Sequence, residues 1–155
     1  QLKKTKAHME LELAYEYYHT QYEVEKAEDF KNEIEKREEI GARYTRLLKD
    51  YVTTPAVAEY NTHVYAQYTV RVDQSSRDEI VSSLKEQGIP IGIYYPKCFH
   101  EQPVFKHLGY KYGDFPESEK ASREVMSLPM HPFLDTKQQK KVTNYIKNLL
   151  TSAQT

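Results

Sequence analysis

The segment from Tyr94 to His100 concentrates side chains that could do chemistry. Cys98 is the chain's single cysteine, and a thiolate nucleophile would need a base and a stabilising neighbour, for which His100 is close in sequence. A half-buried free thiol in a loop is the commoner role of such a residue, and we predict that role for Cys98. Tyr94 and Tyr95 carry phenols that can hydrogen-bond a ligand, or they simply alternate between core and solvent at a strand end.

The histidines lack the spacing of a metal site. A proline-containing stretch separates His100 from His107, and no pair has the close spacing of zinc ligands; the six stand at positions 8, 19, 63, 100, 107 and 131. His131, between Met130 and Pro132, is predicted to hydrogen-bond a carbonyl and fix a turn. We therefore predict no metal site.

The composition excludes several function classes. A net charge of −1 leaves no basic surplus for holding nucleic acid or an anionic membrane. No apolar run approaches the roughly 20 residues of a membrane-spanning helix, and no signal peptide is recognisable. A single cysteine allows no internal disulfide, which is typical of a reducing compartment. We therefore predict a cytoplasmic protein whose partners include neither nucleic acid nor membrane.

A long helix is predicted to precede the chemically interesting segment. Residues 10–50 contain no proline and only one glycine, and Glu, Lys, Arg and Ala dominate them. Apolar side chains near one side of this helix indicate the face that packs on a core: Phe30, Ile34, Ile40, Tyr44, Leu47 and Leu48. The first half of the helix suits a semi-exposed or self-associating surface, because it holds four tyrosines among glutamates: Tyr15, Tyr17, Tyr18 and Tyr22.

Strands and helices are then predicted to alternate. The alternating pattern of residues 64–72 and the apolar run at 89–95 predict strands, with a third short strand at either 51–57 or 126–130. Helices are predicted at 77–87, 104–108, 115–126 and 137–150. The predicted fold class is α/β: a small sheet of two or three strands covered by helices and preceded by a long N-terminal helix.

Several short motifs, in a fixed order, resemble the C-terminal small domain of the DegT/DnrJ/EryC1/StrS sugar aminotransferases. Gly88-Ile89-Pro90 and Tyr94-Tyr95-Pro96 resemble the family's Gly-Ile-Pro and His-Tyr-Pro. Downstream motifs follow in the expected order: Asp114-Phe115-Pro116 and Leu128-Pro129-Met130-His131-Pro132. The likeness covers roughly residues 31–150, and it is closest to enzymes that aminate 3-keto UDP-sugar uronates.

The resemblance implies the small domain of a fold-type I aminotransferase that uses pyridoxal phosphate (PLP). Because the family's PLP groups lie in a large domain N-terminal to everything matched here, it implies no catalytic residue, no cofactor and no activity for this chain alone. It implies substrate-binding roles for Tyr94, Tyr95 and His100 toward a UDP-sugar. Tyr94 replaces the family's imidazole with a phenol, which cannot carry positive charge near neutral pH, so contact with a uronate carboxylate would be weaker.

Residues 1–29 do not resemble the family and are predicted to be an atypical helical N-terminal segment, whereas residues 30–155 are predicted to form the small domain. Gln1–His8 is predicted to be vector sequence. The stretch that follows is interpreted as a frame-shifted remnant of the family's own helix, because codons for Tyr15-Glu16-Tyr17-Tyr18 read one nucleotide later can encode Met-Asn-Thr-Ile. Three functions stay open: an orphaned small domain that is inactive by itself, a non-enzymatic module that forms a homodimer through the N-terminal helix, and half of a split enzyme.

Overall fold

The computed structural model describes residues 6–152 of the chain. This part contains four α-helices and a two-stranded β-sheet. The helices are α1 (Lys6–Leu48), α2 (Arg77–Glu86), α3 (Pro116–Glu124) and α4 (Thr136–Ser152), and short 3₁₀ segments span Phe99–Glu101 and Pro103–Leu108. Strand β1 (Tyr68–Arg71) pairs antiparallel with β2 (Val125–Leu128), with Thr69 opposite Ser127. This arrangement confirms the predicted α/β class with a small sheet and a long preceding helix.

Helix α1 changes character along its length. From Met9 to Asn32 every side chain that the structure describes is exposed, including Phe30, which was expected to pack on the core. The packed part contains Ile40, Tyr44 and Leu48, one helical turn apart and all buried. The expected apolar stripe is therefore wrong at Phe30, because the core that α1 covers reaches only to about Ile34. The predicted vector segment, residues 1–8, lies mostly outside the described residues, and the shifted-frame origin of the next stretch stays a prediction.

The first predicted strand begins later than expected. Tyr65 is buried in the left-handed region at φ 45°, whereas Val64 is half exposed, so the predicted alternation fails before Tyr68. The Tyr65 ring stacks on His63 at 4.2 Å between centroids and approaches Tyr68 at 5.7 Å. A non-glycine residue at positive φ persists only where its surroundings hold it. The packing of this ring therefore ends the extended run that the pattern predicted.

The second predicted strand, 89–95, is wrong as a strand. Only Gly92 joins the sheet, through an isolated bridge in which Gly92 N–H donates to Ser127 O at 3.0 Å and Ser127 N–H donates to Gly92 O at 2.8 Å. The third strand appears at the second of its two predicted places, as β2, while residues 51–57 contribute only the Thr53–Arg71 bridge. Because β2 takes residues 125–128, helix α3 ends at Glu124 rather than near residue 126.

The sheet has one face in the core and one face toward a cavity. Tyr68, Val70, Met126 and Leu128 are buried with the inward faces of α1, α2 and α4. Tyr44 donates its phenol proton to Pro129 O at 3.0 Å, and the Thr45 and Tyr68 hydroxyls lie 2.7 Å apart. Since side chains alternate along a strand, Thr69 and Ser127 point to the opposite face.

Candidate functional site

A cavity of about 760 Å³ lies between the outer face of the sheet, helix α3 and residues 94–115. We call it the aromatic cavity, because six aromatic side chains line it beside the His100 ring: Tyr94, Tyr95, Phe99, Phe105, Tyr110 and Phe115. Its volume is within the range of small-molecule sites. Ser127 and Ser122 are buried at its floor, whereas Tyr94 and Tyr95 are 57% and 67% exposed at its mouth.

The walls of the aromatic cavity pack against one another edge to face. Phe99 contacts Phe105 at 5.6 Å between ring centroids, and Tyr110 contacts Phe115 at 5.1 Å, with interplanar angles of 86° and 72°. Such geometry is favourable between aromatic rings. The segment has little regular secondary structure, so these ring contacts give it shape.

A buried carboxylate fixes the wall that contains His100. Glu119 is 2% exposed, and its Oε1 accepts hydrogen bonds from Gly113 N–H at 2.8 Å and Phe115 N–H at 3.4 Å, with His100 Nε2 at 3.0 Å. Burial alone would raise the pKa of Glu119, but these hydrogen bonds outweigh it and hold that pKa below its ordinary value. Glu119 therefore ties the His100 loop and the 109–115 turn to α3.

The structure brings all three sequence-predicted site residues to one cavity. Tyr94, Tyr95 and His100 line it, although the two tyrosines are open to solvent and the His100 side chain is only 6% exposed. The Tyr94 ring lies over Gly92, where an added Cβ would come 2.9 Å from Tyr94 Cε2. The ligand role of the three residues stays a prediction, while their convergence is a property of the fold.

Cys98 has the half-buried, unpaired state predicted for it. Its N–H donates to Glu101 Oε2 at 3.2 Å, so it begins the 3₁₀ segment Phe99–Glu101. His131 is exposed, and its backbone carbonyl accepts the Leu134 N–H at 3.1 Å; no described group hydrogen-bonds its imidazole, so the carbonyl bond predicted for that ring is absent. Among the side chains that the structure describes, no three of His, Cys, Asp or Glu come together as a metal site.

A smaller cavity of about 380 Å³ adjoins the aromatic one. The two share Gln67, Gly92, Tyr94 and Ser127, and the smaller one continues to His131. Tyr94 therefore stands where the cavities meet.

Sequence reasoning missed Lys97 and Glu119. Lys97 lines the aromatic cavity next to the predicted tyrosines, and its position directly after Tyr94-Tyr95-Pro96 was the available signal. Glu119 gave no such signal, because an acidic residue in the first turn of a helix is ordinary and its donors lie elsewhere in the chain.

The described residues do not fit PLP. The cofactor needs a lysine for an imine, an acid facing its pyridine nitrogen and donors for its phosphate. From Lys26 onward no lysine is buried, and Lys97, the only one lining the aromatic cavity, is exposed. The buried carboxylate of Glu119 already accepts hydrogen bonds from the protein itself.

None of the helices in the described part of the chain has the length and apolar character needed to cross a membrane.

Comparison with known proteins gives a consistent likeness. Residues 22–147 match the family described as the DegT/DnrJ/EryC1/StrS aminotransferase family. The chain is 48% identical over 116 residues to a "pleiotropic regulatory protein" of Geobacillus stearothermophilus, covering 72% of this chain and 31% of that protein. It is 41% identical over 112 residues to the UDP-2-acetamido-2-deoxy-3-oxo-D-glucuronate aminotransferase of Pseudomonas aeruginosa, with 72% and 30% covered.

Solved structures agree with the sequence likeness. The fold is similar to that of a DegT DnrJ EryC1 StrS aminotransferase from Brucella abortus, with a TM-score of 0.74, 36% identity, and 82% of this chain and 34% of that chain covered. DesV of S. venezuelae, solved with a ketimine intermediate, gives a TM-score of 0.70 at 28% identity, with 75% and 31% covered. The chain thus spans about a third of the length of the relatives it matches.

Proposed function

Because this chain belongs to the DegT/DnrJ/EryC1/StrS aminotransferase family, we propose that residues 30–155 are the C-terminal small domain of a PLP-dependent nucleotide-sugar aminotransferase. The whole enzyme transfers an amino group to a keto group of a nucleotide sugar, for polysaccharide or other surface-sugar synthesis. The likeness to the Pseudomonas aeruginosa enzyme supports a UDP-linked 3-keto uronate as the substrate.

The observation that best supports a substrate site in this domain is the aromatic cavity, which Tyr94, Tyr95 and His100 all line. The tyrosines are exposed at the mouth, so their phenols are free to hydrogen-bond a substrate. His100 is held inside the wall by Glu119, so it meets a ligand through its ring rather than as a mobile side chain. These residues supply one side of a substrate site, and the rest of the enzyme supplies the other.

The proposal implies that this chain by itself performs no transamination. Amino transfer requires a cofactor that is covalently held, buried and oriented against its substrates. The exposed lysines from Lys26 onward and the occupied carboxylate of Glu119 do not supply those features. PLP is therefore expected to modify surface lysines at random and to bind at no single one.

The experiment is a titration of the ¹⁵N-labelled chain with UDP-glucuronate, followed by amide chemical shifts. We expect weak binding that shifts residues around the aromatic cavity. Tyr94→Phe and Tyr95→Phe each remove one phenol hydroxyl and should weaken binding about fivefold. Tyr112→Phe is the matched control, because Tyr112 is exposed nearby and does not line the cavity. Shifts that avoid the cavity, or equal effects of all three variants, would contradict the site.

A second measurement tests inactivity. An absorbance scan with added PLP should show no discrete aldimine band. If borohydride fixed PLP onto one lysine in high yield, the chain would contain a PLP site and the proposal would be wrong.

The second candidate function, self-association through α1, is favoured by one observation. Leu11, Tyr15, Tyr18 and Tyr22 are spaced four, three and four residues apart, and their exposure ranges from 59% to 71%. This spacing places them on one side of the helix, as in the seam of a coiled coil. A homodimer would bury this stripe against the same stripe of a second copy. No described feature favours the split-enzyme alternative.

A further inference from the structure

Among the residues that the structure describes, Lys97 is the only lysine or arginine that lines the aromatic cavity, and no aspartate or glutamate lines the cavity with it. It is exposed beside Tyr94 and Tyr95 at the mouth, and it forms no ion pair with the residues that the structure describes. The other basic lining group, His100, has its Nε2 against Glu119. The mouth thus carries one uncompensated positive charge above walls of low polarity, which favours an anion there.

The interior of the cavity suits a flat ring. Aromatic faces bind heteroaromatic rings by stacking, without requiring a particular ring substituent. The cavity volume of about 760 Å³ leaves room for such a ring and a linked group.

The floor can hydrogen-bond the ring edge. The Thr69 and Ser127 hydroxyls lie 2.8 Å apart on paired strands, and either oxygen can donate to the other. The pair has two hydroxyl protons and uses one between them, so the second can be donated to a ligand carbonyl. Ser122 is less available, because its hydroxyl donates to Glu119 O at 2.8 Å.

We propose that the aromatic cavity binds a heteroaromatic ring carrying an anionic group, with the ring between the aromatic walls above Thr69 and Ser127 and the anion against Lys97. The inference rests on the proposed function, in which the ring is the nucleobase and the anion is the diphosphate of the nucleotide sugar. The base then points inward and the sugar points out of the mouth. This domain binds the nucleobase and diphosphate, which do not react, and presents the reacting sugar to the rest of the enzyme.

The test is a chemical-shift titration of the full chain with UDP, uridine and inorganic pyrophosphate as separate probes. Lys97→Gln should raise the Kd for UDP about 5- to 10-fold and leave that for uridine within about twofold. Lys97→Arg should retain UDP binding, since it keeps the charge. Lys106→Gln is the control, because Lys106 is exposed in the 3₁₀ segment Pro103–Leu108 and does not line the cavity. The Lys97→Gln effect should shrink in about 0.5 M NaCl, where exposed charges are screened.

The outcomes separate this inference from the proposed function. Equal UDP affinities of Lys97→Gln and Lys106→Gln would overturn the role of Lys97, and the proposed function would stand if UDP-glucuronate still shifts the cavity amides. Pyrophosphate that binds as tightly as UDP, with no response to uridine, would overturn the ring site. If neither UDP nor UDP-glucuronate binds, both proposals fail, and the aromatic walls are then a packing surface for another polypeptide segment.

Discussion

Glu119 Oε1 lies 3.0 Å from His100 Nε2, and this contact joins helix α3 to the loop that follows the two predicted tyrosines. The same oxygen accepts a hydrogen bond from Gly113 N–H at 2.8 Å, so one carboxylate connects both the His100 loop and the 109–115 turn to α3. Both residues are shielded from water, with side chains 6% and 2% exposed. The shape of the aromatic cavity therefore depends on a charge that lies behind its wall.

Glu119→Gln should destabilise the chain at neutral pH, and the difference from the wild type should shrink in acid. Because hydrogen bonds to the carboxylate hold the pKa of Glu119 below its ordinary value of 4.5 despite burial, its stabilising effect is present above that value. The effect is lost as pH falls through the lowered pKa. Thermal unfolding at about pH 7 and about pH 3 measures it.

The control for this prediction is Glu117→Gln, on the exposed side of the same first turn of α3. Its effect on the unfolding temperature should be small at both pH values. A Glu119→Gln deficit that is the same in acid and at neutral pH would contradict a role for the ionised carboxylate.

Gly41→Ala should destabilise the fold, although alanine is the better helix former. An added Cβ would lie 2.7 Å from Cε2 of Tyr65, a ring that is buried and held by its neighbours. Overpacking of this kind costs about 1–3 kcal/mol, more than the helix propensity gained. Denaturant unfolding of the wild type and the variant measures the difference in their free energies of unfolding.

A double-mutant cycle provides the check. Tyr65→Gly removes the ring and also suits the positive φ at this position. In that background Gly41→Ala should stabilise the chain by up to about 1 kcal/mol. If Gly41→Ala costs the same in both backgrounds, the Tyr65 ring is not its cause.

Alkaline pH should unfold the chain through its buried tyrosines. Burial raises the pKa of Tyr68 to about 12, although the Thr45 hydrogen bond lowers it and nearby Tyr65 raises it; burial also raises the pKa of Tyr44. Because both folded-state values lie above the ordinary 10.0, the stability these phenols contribute is complete below that pH and is lost as pH rises through the raised values. Unfolding followed by circular dichroism should coincide with a late phase of tyrosinate absorbance.

Tyr44→Phe isolates one of these phenols. It leaves Pro129 O without its donor, and it should cost about 1–2 kcal/mol at neutral pH. It should also weaken the alkaline loss of stability. Tyr60→Phe, at a residue 94% exposed, should change neither quantity measurably. Early titration of every tyrosine, before any loss of structure, would contradict the prediction.

Self-association through α1 should strengthen with salt. Residues 9–30 contain seven carboxylates and one lysine, so two such helices repel each other until ions screen them. Sedimentation or light scattering over a concentration series should give a larger dimer fraction in about 0.5 M NaCl than in about 0.05 M. Replacing Tyr15 and Tyr18 with serine should abolish the dimer.

Tyr17→Ser is the matched control for the dimer, because Tyr17 is 62% exposed on another side of the same helix. A chain that stays monomeric at every concentration and salt level would rule out the interaction module.

Local sequence determined the elements whose cause is local. The helix predicted at 77–87 is followed by Gly88, which ends α2 at φ 70°, in a conformation that glycine adopts without strain. Asp135 begins α4 through a reciprocal pair with Gln138, in which each side chain accepts the other's backbone N–H. The motif order around Tyr94, Tyr95 and His100 was likewise enough to indicate the family and the segment that lines the cavity.

The tertiary structure decided what depends on distant neighbours. Tyr65 leaves the strand pattern because its ring packs on Gly41 of α1, and no window around residue 65 contains that glycine. Residues 89–95 have the composition of a strand, but only Gly92 forms a bridge to the sheet, through backbone hydrogen bonds with Ser127. Glu119 holds the wall of the aromatic cavity because the tertiary fold brings it next to His100. Propensity and capping act within a few residues, whereas burial and hydrogen-bond pairing are assigned only when separate segments pack together.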